Sequence, residues 1–261
     1  MTGALRFSAN ISMMFAEVPF LDRIDAAAKA GFRAVECQFP YEFSIADIRA
    51  RLEANGIPLT GLNTTRGDVA AGERGMAAVP GREATFREHL AQAFEYAEAL
   101  NVPKIHVMSG TVGGDTAAAT ETFLKNLAYA GEEARRRNIT LLIEPLNLRD
   151  NPGYFVSKSD RVMELLDKLD NSHVTLLFDI YHIQIMEGDL LKRMERHWRR
   201  IGHFQVASVP GRHEPDEGEV AYPVVLAEVA RRGWDSWIGA EYNPRGRTEG
   251  GLGWMKAYGQ K

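Results

Sequence analysis

Three apolar runs in this chain end on a carboxylate. Leu141-Leu142-Ile143 leads into Glu144 and Pro145, Leu176-Leu177-Phe178 into Asp179, and Trp237-Ile238-Gly239-Ala240 into Glu241. A single acid after a β-type run commonly caps the helix that follows, because its oxygens accept the unpaired N–H groups of the first turn. Three acids gathered in one dry cleft behave differently: unpaired carboxylates repel there, and a cation is the natural way to keep them ionised. The pattern therefore points to a metal centre. Gln205 ends the run His203-Phe204-Gln205 between those that carry Asp179 and Glu241, and it adds an amide oxygen to the set. Oxygen ligands favour Mg2+ or Mn2+ over zinc, which usually recruits imidazole or thiolate. His203 shares the face of Gln205 in a regular strand and is an alternative ligand.

Other residues suit the binding of an anionic substrate. Arg212 follows Pro210-Gly211 in the segment after the His203–Val206 run, where its planar guanidinium can clamp a carboxylate through two hydrogen bonds. Arg66 is a second candidate for the same task. His182, three residues after Asp179, can donate to a substrate oxygen. Met13 and Phe15 are candidates for a pocket wall, whereas Trp198, Trp234, Trp237 and Trp254 read as packing residues.

Residues so far apart in the chain converge only if the fold brings strand ends together. Short apolar or β-branched runs alternate with amphipathic stretches along the whole sequence, the signature of βα units on a parallel sheet. The expected strands are 5–10, 34–38, 58–63, 104–108, 140–144, 174–179, 202–206 and 237–241, which is the count for a closed (β/α)8 TIM barrel. Helices are expected over 20–30, 46–54, 121–137, 161–169, 190–200 and 224–232, with Ser159-Asp160 as a cap and stops at Gly31, Asn55-Gly56 and Gly233. An open doubly wound sheet also alternates strand and helix. However, its glycine-rich phosphate turn is absent, and polar residues end strands throughout the chain, as Asn10, Gln38, Asn63, Glu144, Asp179, Gln205 and Glu241. In a barrel all those ends share one mouth. The connection 64–81 is long for a βα loop and is expected to be a lid or a surface excursion.

Length and composition agree with one α/β domain over 1–261. The chain has 261 residues, 45% of them hydrophobic, and a formal net charge of -4. An acidic chain with scattered Lys and Arg offers no field for nucleic acid, so the expected partner is a small molecule. A homo-oligomer is compatible with the sequence. Cys37 is the only cysteine, which excludes an internal disulfide and suggests a reducing compartment. With no apolar run long enough to span a bilayer and no signal-like amino terminus, the expectation is a cytoplasmic protein without a membrane partner.

Several segments carry a family resemblance: Leu5-Arg6-Phe7-Ser8-Ala9-Asn10-Ile11-Ser12-Met13-Met14-Phe15, Ala70-Ala71-Gly72-Glu73-Arg74-Gly75, Pro80-Gly81-Arg82-Glu83, Ile143-Glu144-Pro145-Leu146-Asn147, Asp179-Ile180-Tyr181-His182 and Glu214-Pro215-Asp216-Glu217-Gly218-Glu219. Together they resemble the hydroxypyruvate isomerase family of xylose isomerase-like barrels, over essentially the whole chain. The resemblance implies that Glu144, Asp179, Gln205 and Glu241 hold the metal, that Glu144 and Glu241 also move the protons, and that His182 meets the substrate. Related ketose epimerases usually have histidine where Gln205 stands.

The implied chemistry is coherent on its own terms. Shifting a carbonyl between adjacent carbons removes a proton from one carbon and returns one to its neighbour through an enediolate, and a chelated cation offsets the added charge. The expected reaction is hydroxypyruvate to 2-hydroxy-3-oxopropanoate, without a redox cofactor. A 2-oxo-tetronate isomerase, with the same metal and bases, or a ketose 3-epimerase is the alternative. A metal-dependent hydrolase related to AP endonucleases is the rival class; it needs several histidines for multiple zinc ions, and only His106, His182 and His203 lie in or just after expected strands.

Overall fold

The computed structural model describes residues 5–112 and 116–258, so the two ends of the expected domain and its residues 113–115 lie outside the described residues. Strand and helix alternate from the start: β1 (Arg6–Asn10), α1 (Asp22–Lys29), β2 (Val35–Glu36), α2 (Ile45–Asn55), β3 (Leu62–Asn63), α3 (Glu83–Leu100), β4 (Lys104–His106), α4 (Thr116–Arg137), β5 (Thr140–Ile143), α5 (Ser159–Leu169), β6 (Val174–Asp179), α6 (Ile180–Met186), α7 (Leu190–His197), β7 (Ile201–Val206), α8 (Tyr222–Arg231) and β8 (Trp237–Ala240). Turns of 3-10 helix follow α7 at Trp198–Arg200 and β8 at Thr248–Tyr258. Among the described residues, no helix is long and apolar enough to cross a membrane.

The chain divides into two compact units, cut within β6 and β7. The first holds the described residues of Met1–Thr60, Asp179–Arg196 and His203–Lys261. Its strands run in the order β2-β1-β8-β7, all parallel where paired. The register sets Asn10 beside Glu36, and it places Ser8, Gly239 and Gln205 in one row across β1, β8 and β7. Phe7 packs edge-on against Trp254 with ring centroids 4.8 Å apart, and Phe204 meets Trp234 in the same way at 4.7 Å. Arg6 lies over the Trp237 ring. These three tryptophans are thus packing residues. Phe15 is buried, with its ring edge-on to Phe32 at 6.2 Å between centroids.

The second unit holds Gly61–Phe178 and His197–Gly202, with the order β6-β5-β4-β3 and parallel pairing. The loop 64–81 belongs to it and is built, not slack. Asp68 Oδ1 accepts from the N–H groups of Ala70 and Ala71, and the segment then turns inward, where Gly75 bridges to Ser109 and Met76, Ala77 and Ala78 are buried. Gly75 has a φ of 108°, and a Cβ there would collide with the Met108 backbone, so this approach requires glycine. Asn126 Nδ2 donates to Ala77 O at 2.9 Å and ties the loop to α4.

The helices show which local signals were decisive. Ser44 caps α2 by accepting from Asp47 N at 3.1 Å, and Gly56 closes it in the left-handed region. Helix α5 departs from expectation: it begins at Ser159 itself, Lys158 takes the cap position without a side-chain bond, and Ser159 is buried. Its inward face, Val162, Leu165 and Leu166, supplies the stability in the absence of a cap, at about 1.5–3 kcal/mol per fully buried side chain. Helix α3 is not in the sequence expectation, although Phe86, Leu90, Ala93, Phe94, Ala97 and Leu100 recur at helical spacing and are all buried.

Candidate active site

In the first unit, the ends of β1, β2, β6, β7 and β8 carry a buried polar cluster. Asp179, Glu241, Glu36, Gln205, Asn10 and His203 are all buried. Asp179 closes β6 and begins α6. Its Oδ1 accepts from Tyr181 N at 2.9 Å, so it is a helix cap after all, but with one oxygen only. The other, Oδ2, has no hydrogen-bond partner, and stands 3.6 Å from His182 Nε2 and 3.7 Å from Arg212 Nη2. Burial pushes the Asp179 carboxyl up to about 7, with Arg212 opposing the shift and Glu241 adding to it.

Glu241, just past β8, is held by three donors. Its Oε1 accepts from Asn10 Nδ2 at 2.8 Å and Gln38 Nε2 at 2.9 Å, and its Oε2 from Arg212 Nη2 at 2.6 Å. Burial raises its pKa, Arg212 pulls it back and Glu36 raises it further. Arg212 therefore sits on the acids of the cluster. Its φ of 54° follows the turn at 208–212, and its guanidinium lies 4.9 Å from the Tyr181 ring centroid. The sequence placed Arg212 near the substrate; its visible partners are Glu241 and Asp179.

Gln205 is buried in β7 with its two ends treated differently. Nε2 donates to Glu36 Oε1 at 2.8 Å, whereas Oε1 has no hydrogen-bond partner. Glu36 is the residue the sequence reading missed. It also accepts from Ser8 Oγ at 2.9 Å, lies 3.0 Å from His203 Nε2 and receives a longer bond from Asn10 Nδ2 at 3.3 Å. Burial by itself would raise its pKa, but the adjacent His203 and the donors Gln205 and Ser8 hold it below the ordinary carboxylate value. The signal in the sequence is an acid inside the apolar strand 34–38, masked by the polar Gln38 at the strand end. His203 does share the face of Gln205, and its Nε2 is spent on Glu36.

In the second unit, Glu144 follows β5, with Pro145 ending the strand. Glu144 is buried, and its Oε2 lies 3.2 Å from His106 Nδ1. Burial lowers the His106 pKa to about 3, so the imidazole is neutral and donates from Nδ1 to orient the carboxylate. Arg66 is half-buried at the root of the 64–81 loop, where burial and Arg74 lower its pKa.

Asp179 Oδ2 and Gln205 Oε1 are buried oxygens that no protein donor satisfies, which is what a cation ligand looks like before its ion is counted. Glu241 and Glu144 are buried carboxylates, the first held by Asn10, Gln38 and the cationic Arg212 and the second facing the neutral His106.

The family model described as xylose isomerase-like TIM barrel matches residues 24–258. A curated 2-oxo-tetronate isomerase of Cupriavidus necator is 49% identical over 255 residues, covering 97% of this chain and 98% of that one. The hydroxypyruvate isomerase of Escherichia coli is 41% identical over 256 residues, covering 97% and 99%. A crystal structure titled AP endonuclease, family 2, from Brucella melitensis superposes with a TM-score of 0.96 at 45% identity, covering 98% of this chain and 100% of that one.

Proposed function

The chain belongs to the xylose isomerase-like TIM barrel family, its fold is the (β/α)8 barrel and it is an isomerase; from that premise we propose that it moves the carbonyl of a short hydroxy-keto acid between adjacent carbons with one divalent cation. The observation that carries this reading is the pair of unsatisfied buried oxygens, Asp179 Oδ2 and Gln205 Oε1, on the same strand ends as Glu241. A (β/α)8 barrel builds its active site from the carboxyl ends of its strands, and the proposal adds Glu144, which follows β5, to the set. Glu144, Asp179, Gln205 and Glu241 then hold the cation, and an all-oxygen set favours Mg2+ or Mn2+.

When bound, the cation acts as a Lewis acid that polarises the substrate carbonyl and offsets the charge of the enediolate. The protein does the rest. One of Glu144 and Glu241, ionised, removes the proton from the hydroxyl-bearing carbon, the other, entering protonated, gives a proton to the neighbouring carbon, and the hydroxyl proton passes to the former carbonyl oxygen. Asn10 and Gln38 hold Glu241 and the neutral His106 holds Glu144, so neither carboxylate has to reorient during the step. Arg212, anchored on Glu241, receives the substrate carboxylate, with Arg66 as a second cation from the 64–81 loop; His182 donates to a substrate oxygen.

Two substrates fit the same groups. Sequence reasoning favours the three-carbon hydroxypyruvate, whereas the higher identity to a relative named 2-oxo-tetronate isomerase favours the four-carbon acid, and we place the latter first. The deciding experiment strips the purified protein with chelator, offers hydroxypyruvate and 2-oxo-tetronate separately, and restores Mg2+ or Mn2+. Conversion that returns with the cation supports the proposal, and its ratio between the two acids identifies the substrate. No cation-dependent conversion of either sinks it.

A further inference from the structure

Beneath the proposed cation ligands lies a carboxylate to which that reading assigns no task. Glu36 ends β2, is 3% exposed, and reaches across the row that the register makes of Ser8, Gly239 and Gln205. It can lie there because Gly239 has no side chain. A Cβ at that position would collide with Glu36 Oε1 and stand 2.7 Å from its Cδ. From this seat Oε2 takes Ser8 Oγ at 2.9 Å and faces His203 Nε2 at 3.0 Å, and Oε1 takes Gln205 Nε2 at 2.8 Å.

A glutamine side chain has two chemically opposite ends of almost the same shape. Only the oxygen can ligate a cation, and nothing in the shape of the residue decides which end faces it. An ionised carboxylate accepts and does not donate, so it selects the NH2 end of its neighbour and turns the oxygen away. We propose that Glu36 is a positioning residue, which binds the Gln205 amide nitrogen so that Oε1 is presented as a cation ligand; Gly239 provides its seat, and Ser8 and His203 hold it in place. The unsatisfied Oε1 of Gln205 is the direct consequence of this lock. The proposal rests on the reading of Gln205 as a ligand. It explains why an acid is buried in β2 with four donors around it, an arrangement that packing alone does not call for.

The test measures Mn2+ affinity of the substrate-free protein, from the EPR signal of free Mn2+, alongside the melting temperature of the chelator-treated protein as a check on folding. Glu36→Gln keeps the shape but lets residue 36 donate, so the Gln205 amide loses its preference. Affinity is expected to fall about 10- to 100-fold, the usual consequence of losing an outer partner of a ligand. Gln205→Ala should weaken binding as well, and adding Glu36→Gln to it should then change nothing further.

Unchanged affinity in Gln205→Ala would overturn the ligand reading itself. If Gln205→Ala binds weakly but Glu36→Gln binds like the wild type, only the role of Glu36 fails. An equal loss from Glu36→Gln in both backgrounds also overturns it, since the effect would then be one of charge and not of orientation. Gly239→Ala displaces the carboxylate without altering charge, and decides the matter if Glu36→Gln does not fold: a matching loss supports the proposal and wild-type affinity removes it.

Discussion

Glu241 carries a sharper demand than burial alone would make. A buried carboxylate has a raised pKa and tends to neutrality, yet a base must be ionised when substrate arrives. Asn10, Gln38 and Arg212 oppose that shift, because each donates to the charged form, while burial and Glu36 keep the net direction upward. Glu241→Gln keeps the volume and most of these partners but cannot carry a proton between carbons. Exchange of the substrate's carbon-bound hydrogen with deuterated solvent is expected to fall by at least about 100-fold, with substrate affinity changed far less. Exchange at wild-type rate would remove Glu241 from the proton-transferring pair. Asp179 separates two roles within one side chain. Asn is as good a helix cap as Asp, so Asp179→Asn should leave the chelator-treated protein as stable as wild type while abolishing the thermal stabilisation by Mn2+, which is about 2.7 kcal/mol at a hundredfold excess over Kd. A melting-temperature rise with Mn2+ equal to that of wild type would show that Oδ2 is not a ligand.

At the scale of elements, legibility followed how much of a signal lay within one segment. Strand β6 came out at its expected bounds, Val174–Asp179, because an apolar run and its terminal acid are local features. The run 58–63 did not, because a ladder needs a neighbour in register. Thr60 N donates to Val35 O, so the first half pairs beside β2, and only Leu62–Asn63 pairs with β4. For the same reason β2 shrinks to Val35–Glu36. Glu36 was overlooked because its meaning lies in residues from three other strands, which no window of sequence contains. One residue along, Cys37 makes the environment of β2 measurable. It is buried, and both burial and the adjacent Glu36 charge push its thiol well above the usual range. A thiol reagent at neutral pH is expected to leave the native protein unlabelled over hours and to react fully once denaturant is added. Fast native labelling would mean that β2 opens, and with it the seat of Glu36.

The whole molecule decides between chemistries that share its fold. The proposal of one domain over 1–261 gains from a family model that runs through both units, from residue 24 to 258. The barrel was legible because strand and helix alternate along the full chain. Chain length of the substrate was not, because it depends on loop volume and not on the ligand types. The name AP endonuclease attached to a solved structure of 45% identity raises the rival class, phosphodiester hydrolysis on DNA. Two molecular properties oppose it here. A net charge of -4 supplies no counter-field for a polyanion, where each phosphate contact ordinarily needs a cationic partner. Three histidines lie in or just after the strands, and two of them already turn a ring nitrogen to a carboxylate, His203 Nε2 to Glu36 and His106 Nδ1 to Glu144, whereas a multi-zinc site recruits several. A duplex with one abasic site, incubated with the protein and either Zn2+ or Mn2+ at physiological salt, should therefore remain intact under conditions in which the hydroxy-keto acid is turned over. Cleavage that requires Asp179 and Glu241 would reverse the assignment, because contaminating nuclease would be indifferent to those two substitutions.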